Sequence, residues 1–164
     1  MQIAIILILV CSVIILEQKI NIKKLRVKIK KQFGKKSIKS KYDWEKIGYH
    51  WSEYTKLISS DEKIDDITWN DLEMNNVFCR INNCQSFVGE QILYSRLHCL
   101  PKDNAYREFF EKKILFFISN DKEREEIQLL LYGLEKNDSS YYLPKFMTNL
   151  NSYRVPSIWK YRTM

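Results

Sequence analysis

The sequence contains few of the residues from which phosphate-binding loops and catalytic sites are usually built. Its 164 residues include only four glycines, none of them clustered, and no G-x-x-x-x-G-K-[ST] motif, which excludes a loop that cradles a nucleotide phosphate. The two histidines, His50 and His98, lie far apart among aromatic or aliphatic neighbours, which favours structural roles. No serine lies in a nucleophile-elbow context. We therefore predict that the chain is not an enzyme, with no catalytic residue and no cofactor.

The four cysteines do not form a disulfide framework. Cys11 lies in the apolar N-terminus, and the other three show no paired spacing. In a cytoplasmic domain they would be reduced thiols. A zinc site would require Cys79, Cys84, His98 and Cys99 to converge, and their C-x4-C-x13-H-C spacing matches no standard site. We predict no metal site.

Positive charge is concentrated in one short segment. Residues 17–41 contain eleven lysines and arginines, from Lys19 to Lys41, against the single acid Glu17, for a net +10. The whole chain carries +7, so residues 42–164 carry the difference, −3. Because the globular part is mildly acidic, the basic pI does not indicate a nucleic-acid-binding domain.

The N-terminus is free of charge from residue 1 to residue 16, MQIAIILILVCSVIIL. We predict a transmembrane anchor over residues 1–18, in the cell membrane as a single pass. Positive residues flanking a span stay in the cytoplasm, which would place the N-terminus outside and the rest inside. A secretory signal peptide requires a positive n-region and a small-x-small cleavage site. Neither is present, which argues against a signal peptide. The competing interpretations are a buried core helix and a secreted protein with a cleaved N-terminus.

The basic segment 19–41 is predicted to be a juxtamembrane linker that binds anionic lipid through the Lys19–Lys41 block. Ile22, Leu25 and Ile29 fall at helical spacing, which indicates an amphipathic helix on the lipid surface. Nucleic-acid binding by the same lysines is the alternative.

Apolar periodicity predicts that residues 42–136 form a helical, core-like domain, so the fold class is all-α. A short helix is expected over residues 43–57. Asn70 or Asp71 is predicted to cap the next helix, Ser86 the one after it, and Asp103 a third. Close approach of another helix would explain Gly89, and Pro101 would stop the second of these capped helices.

Each of these helices is expected to bury one apolar stripe. The predicted stripes are Met74, Val77, Phe78 and Ile81; Gly89, Leu93, Leu97 and Leu100; Tyr106, Phe110, Ile114 and Phe117; and, on a helix over residues 122–134, Ile127, Leu130, Leu131 and Leu134.

Residues 137–164 form a weakly patterned tail. Aromatic residues there interleave with basic ones: Tyr141, Tyr142, Tyr153, Trp159 and Tyr161 with Lys145, Arg154, Lys160 and Arg162. Such a mixture suits a stacking platform for single-stranded nucleic acid. The alternative, which we favour, is the start of a truncated domain.

One stretch resembles a known family. The pattern Asp66-x-Thr68-x-Asn70-x-Leu72-Glu73 is similar to the entry into the helical core of MutS-type DNA mismatch repair ATPases. Gly89, Leu93, Leu97 and Pro101 look like the element that follows, and residues 111–117 and 121–133 are similar to the next two helices. The likeness covers about residues 64–136 and is closest to smaller, membrane-anchored bacterial MutS-like proteins.

The resemblance implies binding of mismatched or branched DNA, coupled to ATP binding only in an intact protein. The family continues through lever and clamp helices to its ATPase, so a truncated or split reading frame would explain the end at Met164. A separate MutS-like chain or a homo-oligomer is then an expected partner. The alternative function is a small, membrane-tethered helical interaction protein unrelated to DNA.

Overall fold

The structure, a computed structural model, describes residues 2–37, 41–100, 103–133, 136, 138–148 and 150; the side chains of residues 2–5, 8 and 148 lie outside that description. The described residues form helices α1 (Gln2–Gln32), α2 (Trp44–Tyr54), α3 (Asp66–Asp71), α4 (Met74–Ile81), α5 (Phe87–His98), α6 (Asn104–Ser119), α7 (Asp121–Gly133) and α8 (Leu143–Thr148), with 3-10 turns at Ser60–Glu62 and Asp138–Tyr142. The predicted all-α class is confirmed.

Local capping fixes where several helices begin. Ser86 accepts a hydrogen bond from the Gly89 amide at 3.2 Å, and Asp103 accepts one from the Tyr106 amide at 2.6 Å, so both predicted caps are confirmed. Asp43 caps α2 in the same way. Each cap satisfies an amide that the first helical turn leaves without a partner. Pro101 lies outside the described residues.

The predicted cap at Asn70 or Asp71 is wrong. Asp65 caps the short helix α3, accepting from the Thr68 amide at 2.8 Å, and Asn70 and Asp71 form its last turn. The chain then breaks at Glu73, whose φ of 50° is left-handed, before α4 begins. The missed signal was Asp65 itself, which stands three residues before Thr68 as an N-cap requires.

The core is an aromatic cluster between α2, α4 and α5. Ile47 and Phe78 are fully buried, and Tyr141 joins them from the 3-10 turn after α7. The Phe78 ring lies 5.5 Å from Tyr42 and 5.6 Å from Tyr94, both edge-to-face, an arrangement that adds to the free energy of simple burial. Only part of the predicted α4 stripe is buried, since Val77 and Ile81 are 38% and 44% exposed.

Helix α1 is a single 31-residue helix that carries both the apolar N-terminus and the first part of the lysine block. Among residues with described side chains, no helix is both long and apolar enough to cross a membrane. The predicted anchor over residues 1–18 and the single-pass placement in the cell membrane are therefore wrong. The uncharged part of α1, residues 2–16, is about 22 Å of helix against roughly 30 Å of hydrocarbon, and Glu17 and Lys19 follow it in the same helix.

The basic half of α1 packs on α7. Ile29 is 2% exposed, and Glu125 of α7, itself 5% exposed, lies 3.1 Å from Lys30 and 3.8 Å from Arg26. The Arg124 guanidinium stacks over Phe33 at 3.5 Å. Ile29 belongs to the stripe that we expected to lie on a lipid surface, and it is instead buried within the protein.

Candidate functional site

Helix α5 packs Leu93 and Leu97 of its predicted stripe against the core, half-buried, and it also buries four polar side chains. Glu90 and Gln91 are fully buried, and Ser95 and His98 are 3% exposed, whereas Ile92 and Leu100 are 42% and 45% exposed. We call Gln91, Ser95 and His98 the polar seam, because they follow one another along the face of α5 that meets α2. Buried polar groups are costly unless they are hydrogen-bonded, so each needs an identifiable partner.

Partners for the polar seam come mainly from α2. The Gln91 side-chain amide donates to the Lys46 carbonyl at 2.8 Å, and His50 Nδ1 lies 2.7 Å from the Ser95 hydroxyl. Burial lowers the pKa of His50, which favours its neutral ring. The seam therefore fixes the register of α2 on α5 through hydrogen bonds as well as through packing.

His98 lies between two tryptophans at the end of the polar seam. Its ring centroid is 3.5 Å from Trp69 and 4.7 Å from Trp51, with nearly parallel planes, and Nδ1 lies 2.9 Å from the Tyr94 carbonyl. Burial lowers the pKa of His98, although the Tyr94 carbonyl and the Asp66 carboxylate oppose that shift. Because its neutral ring is stacked against two tryptophans, His98 has a structural role.

Cys99 lies beside the polar seam, where a zinc site built on His98 would have to form. The Cys99 thiol donates to the Ser95 carbonyl at 3.1 Å. Within the ranges that the structure describes, no three His, Cys, Asp or Glu side chains come together as metal ligands would. The arrangement of Cys79, Cys84, His98 and Cys99 thus offers no ligand set there.

A second buried polar group fastens the segment after α7 to the core. Glu90 Oε1 lies 2.8 Å from Lys136 Nζ, and the same carboxylate is close enough to the Tyr141 hydroxyl to raise the pKa of that hydroxyl. Burial, reinforced by nearby acids, raises the pKa of Tyr141, which keeps the hydroxyl protonated as a donor. Phe87 stacks on the Tyr141 ring at 4.2 Å. We call Glu90, Lys136 and Tyr141 the carboxylate clamp.

Beside the carboxylate clamp is a small open cavity of about 350 Å³. Lys46 projects into it but lies 3.0 Å from Asp138 and 3.3 Å from Asp43, and Lys136 is paired with Glu90. Acids of the chain itself thus neutralise Lys46 and Lys136, and Lys41 is a third lysine in the lining. Its ion pairs act as a further tie between α2 and the 3-10 turn Asp138–Tyr142.

The signature that carries the family resemblance has a structural role here. Thr68 bonds Asp65 through both its amide and its hydroxyl, and Asn76 donates to the Glu73 carboxylate at 2.8 Å across the break. Leu72 is 58% exposed at the end of α3. A Cβ atom at Gly89 would lie 3.3 Å from the Cys84 Cβ, so the close approach is to the preceding loop and not, as expected, to another helix.

The two helices of the α6–α7 hairpin expose apolar side chains that the sequence predicted to be buried. The predicted side chains with exposed fractions between 40% and 74% are Phe110, Ile114, Ile127, Leu130 and Leu131. We call these five residues the hairpin apolar surface. Helix α7 instead buries Glu125, with Arg124, Gln128 and Leu129 half-buried. The hydrophobic effect therefore favours covering this surface with further protein.

Side chains of the Lys19–Lys41 block divide into two groups. Arg26 and Lys30 pair with Glu125, whereas Lys24, Lys28 and Lys31 are exposed. Of the aromatic and basic tail, Tyr141, Tyr142 and Lys145 are described, and the members beyond residue 150 lie outside the described residues.

The described residues define an all-helical protein in which buried polar contacts join α2, α5 and the segment after α7. Comparison with protein-family models, curated proteins and solved structures finds no match to the chain.

Proposed function

We propose that the chain is a non-catalytic helical module that acts by binding protein, as one part of a MutS-like assembly that contacts DNA. The hairpin apolar surface carries this proposal. Two consecutive helices with exposed Phe110, Ile114, Leu130 and Leu131 are typical of a module that completes its core with another chain. DNA binding and ATP coupling would then belong to the assembly as a whole.

The resemblance of residues 64–136 to the start of a MutS core supports the choice of partner. In that family the corresponding helices lead to further core and ATPase segments, which would lie against the surface that is uncovered here. Such a partner would be a separate MutS-like chain.

Site-specific crosslinking tests this proposal in the intact protein. A photoreactive amino acid at Ile114, which is 44% exposed on α6, should crosslink in the native cell to a protein that contains a MutS-like ATPase. The same probe at Ile67, which is 73% exposed on α3, is the control and should not give that adduct. An Ile114 adduct with a protein of another class would refute the MutS-like assignment.

Two measurements on the isolated chain complete the test. The chain alone should not distinguish mismatched or branched DNA from homoduplex in fluorescence anisotropy. ATP should not protect it from proteolysis or heat, because the sequence offers no phosphate-binding loop. Stabilisation that depends on ATP would contradict the proposal.

A second candidate function is a helical interaction protein unrelated to DNA. The composition of the core favours this second candidate. Tyr141, which follows α7 in the chain, packs with Ile47 and Phe78, so the described helices form a core of their own. The Ile114 crosslink separates the two candidates through the identity of the captured protein.

A further inference from the structure

A long groove separates α1 from α7. It is lined on α1 by residues from Gln18 to Lys28 and on α7 by residues from Glu126 to Gly133, and its volume is about 1360 Å³. Its apolar lining comes chiefly from Ile22, Leu25, Leu129 and Leu130. Leu130 is 74% exposed, so the apolar lining is open to solvent on one side.

The groove is long enough for about three turns of a helix. Ten residue steps along α1, from residue 18 to residue 28, correspond to about 15 Å of helix axis, and each helical turn rises about 5.4 Å.

The charge along the groove indicates the chemistry of its occupant. Three basic side chains line it, Lys24, Arg26 and Lys28, against one acidic side chain, Glu126. Arg26 lies 3.8 Å from Glu125, whereas Lys24 and Lys28 are exposed. An occupant with acidic residues flanking an apolar stripe would pair with these lysines and steer its own approach.

We propose that the α1–α7 groove binds an acidic amphipathic helix of a partner protein, with its apolar stripe on Leu25 and Leu130 and its carboxylates towards Lys24 and Lys28. Helix-in-groove recognition uses apolar anchors at i, i+3, i+4 and i+7, and about ten residues of partner helix would fill the groove. This proposal rests on the proposed function, in which the chain acts by binding protein, and it names the contact and its chemistry.

Synthetic helices test the groove on the full chain by fluorescence anisotropy. The probe is a labelled 14-residue peptide with leucines at i, i+3, i+4, i+7 and i+11 and glutamates on both flanks. One comparison peptide replaces every glutamate with lysine, and another has the same composition in scrambled order. The acidic ordered peptide should bind saturably and at least about tenfold more tightly than either comparison, a difference of about 1.4 kcal/mol.

Charge variants locate the binding. Lys24→Glu together with Lys28→Glu should weaken binding of the acidic peptide by about tenfold or more. The matched control, Lys31→Glu with Lys35→Glu, makes the same charge change at exposed positions that do not line the groove, and it should leave binding within about twofold. Equal losses in the two double variants would overturn the proposal, since binding would then follow net charge.

An apolar variant tests the lining. Leu130→Glu should abolish binding of the peptide, and Ile67→Glu, at a similarly exposed apolar position of α3, should not. Circular dichroism checks that both variants remain folded, as expected for side chains that are 74% and 73% exposed. Unchanged peptide binding by Leu130→Glu would overturn the proposal.

Two other occupants are distinguished by further measurements. Anionic phospholipid vesicles that displace the peptide and lose affinity for the Lys24/Lys28 variant would assign the groove to lipid headgroups. A dimer in sedimentation velocity that Leu130→Glu dissociates would assign it to a second copy. Either result overturns the proposal. If the peptide fails while the Ile114 crosslink still captures a MutS-like ATPase, the proposed function stands without the groove.

Discussion

Removing one partner of the carboxylate clamp should destabilise the fold, and the two partners should not be equivalent. The Glu90 side chain is 0% exposed and that of Lys136 is 38% exposed, with 2.8 Å between the charged atoms. Lys136→Met leaves the carboxylate buried without the ammonium that lies against it. Glu90→Gln leaves an ammonium that can turn to water and keeps an acceptor oxygen for Tyr141. We therefore expect Lys136→Met to be the more destabilising change.

The magnitude follows from the burial of the pair. Breaking a fully buried ion pair costs about 3–5 kcal/mol, and an exposed pair contributes about 0.2–1 kcal/mol. With one partner buried and the other partly exposed, we expect Lys136→Met to cost about 2 kcal/mol and Glu90→Gln about 1 kcal/mol. The double variant should cost less than the sum of the two single variants, because neither residual charge remains.

Urea unfolding followed by tryptophan fluorescence and circular dichroism measures these differences, provided that the two signals change together. Lys56→Met is the control, because Lys56 lies 3.1 Å from Glu53 in a pair whose lysine is 66% exposed, and it should leave the unfolding midpoint unchanged. A larger cost for Glu90→Gln than for Lys136→Met, or strict additivity, would refute the reasoning.

Three further predictions concern the core, a cap and pH. Phe78→Ala should cost about 3–5 kcal/mol and Val77→Ala less than about 1 kcal/mol in urea unfolding, since Phe78 is fully buried and Val77 is 38% exposed; similar costs would contradict the assigned face of α4. Ser86→Ala should cost about 1 kcal/mol by loss of the cap, and no change would count against that cap. Because burial lowers the pKa of His98, the unfolded state binds the proton more readily, so stability is full above about pH 6.5 and falls as pH drops below it. Unfolding at pH 8 and pH 5.5 should show this loss, and it should be smaller in His98→Asn; an equal loss would assign it to other groups.

Sequence patterns located the helices because the relevant forces are local. Ser86 and Asp103 cap their helices with amides three residues away, so the signal lies within one turn. The same logic failed at Asn70 and Asp71, because both lie in the last turn of α3, which Asp65 caps. The prediction that the chain binds MutS-like protein and DNA remains a proposal.

The sequence by itself determined the all-α class and most helix boundaries, since capping and helical periodicity depend on neighbours within about four residues. Only the tertiary structure decided which faces are buried. Glu90 and Gln91 are buried because their partners, Lys136 and the Lys46 carbonyl, come from segments more than forty positions away. A distant partner also explains why the leucine stripe of α7 is exposed. Glu125 pairs with Lys30 of α1, so the face of α7 that carries Glu125 packs on α1 and the leucines face solvent. Periodicity shows that a helix has an apolar face, and the arrangement of distant segments decides whether anything covers it.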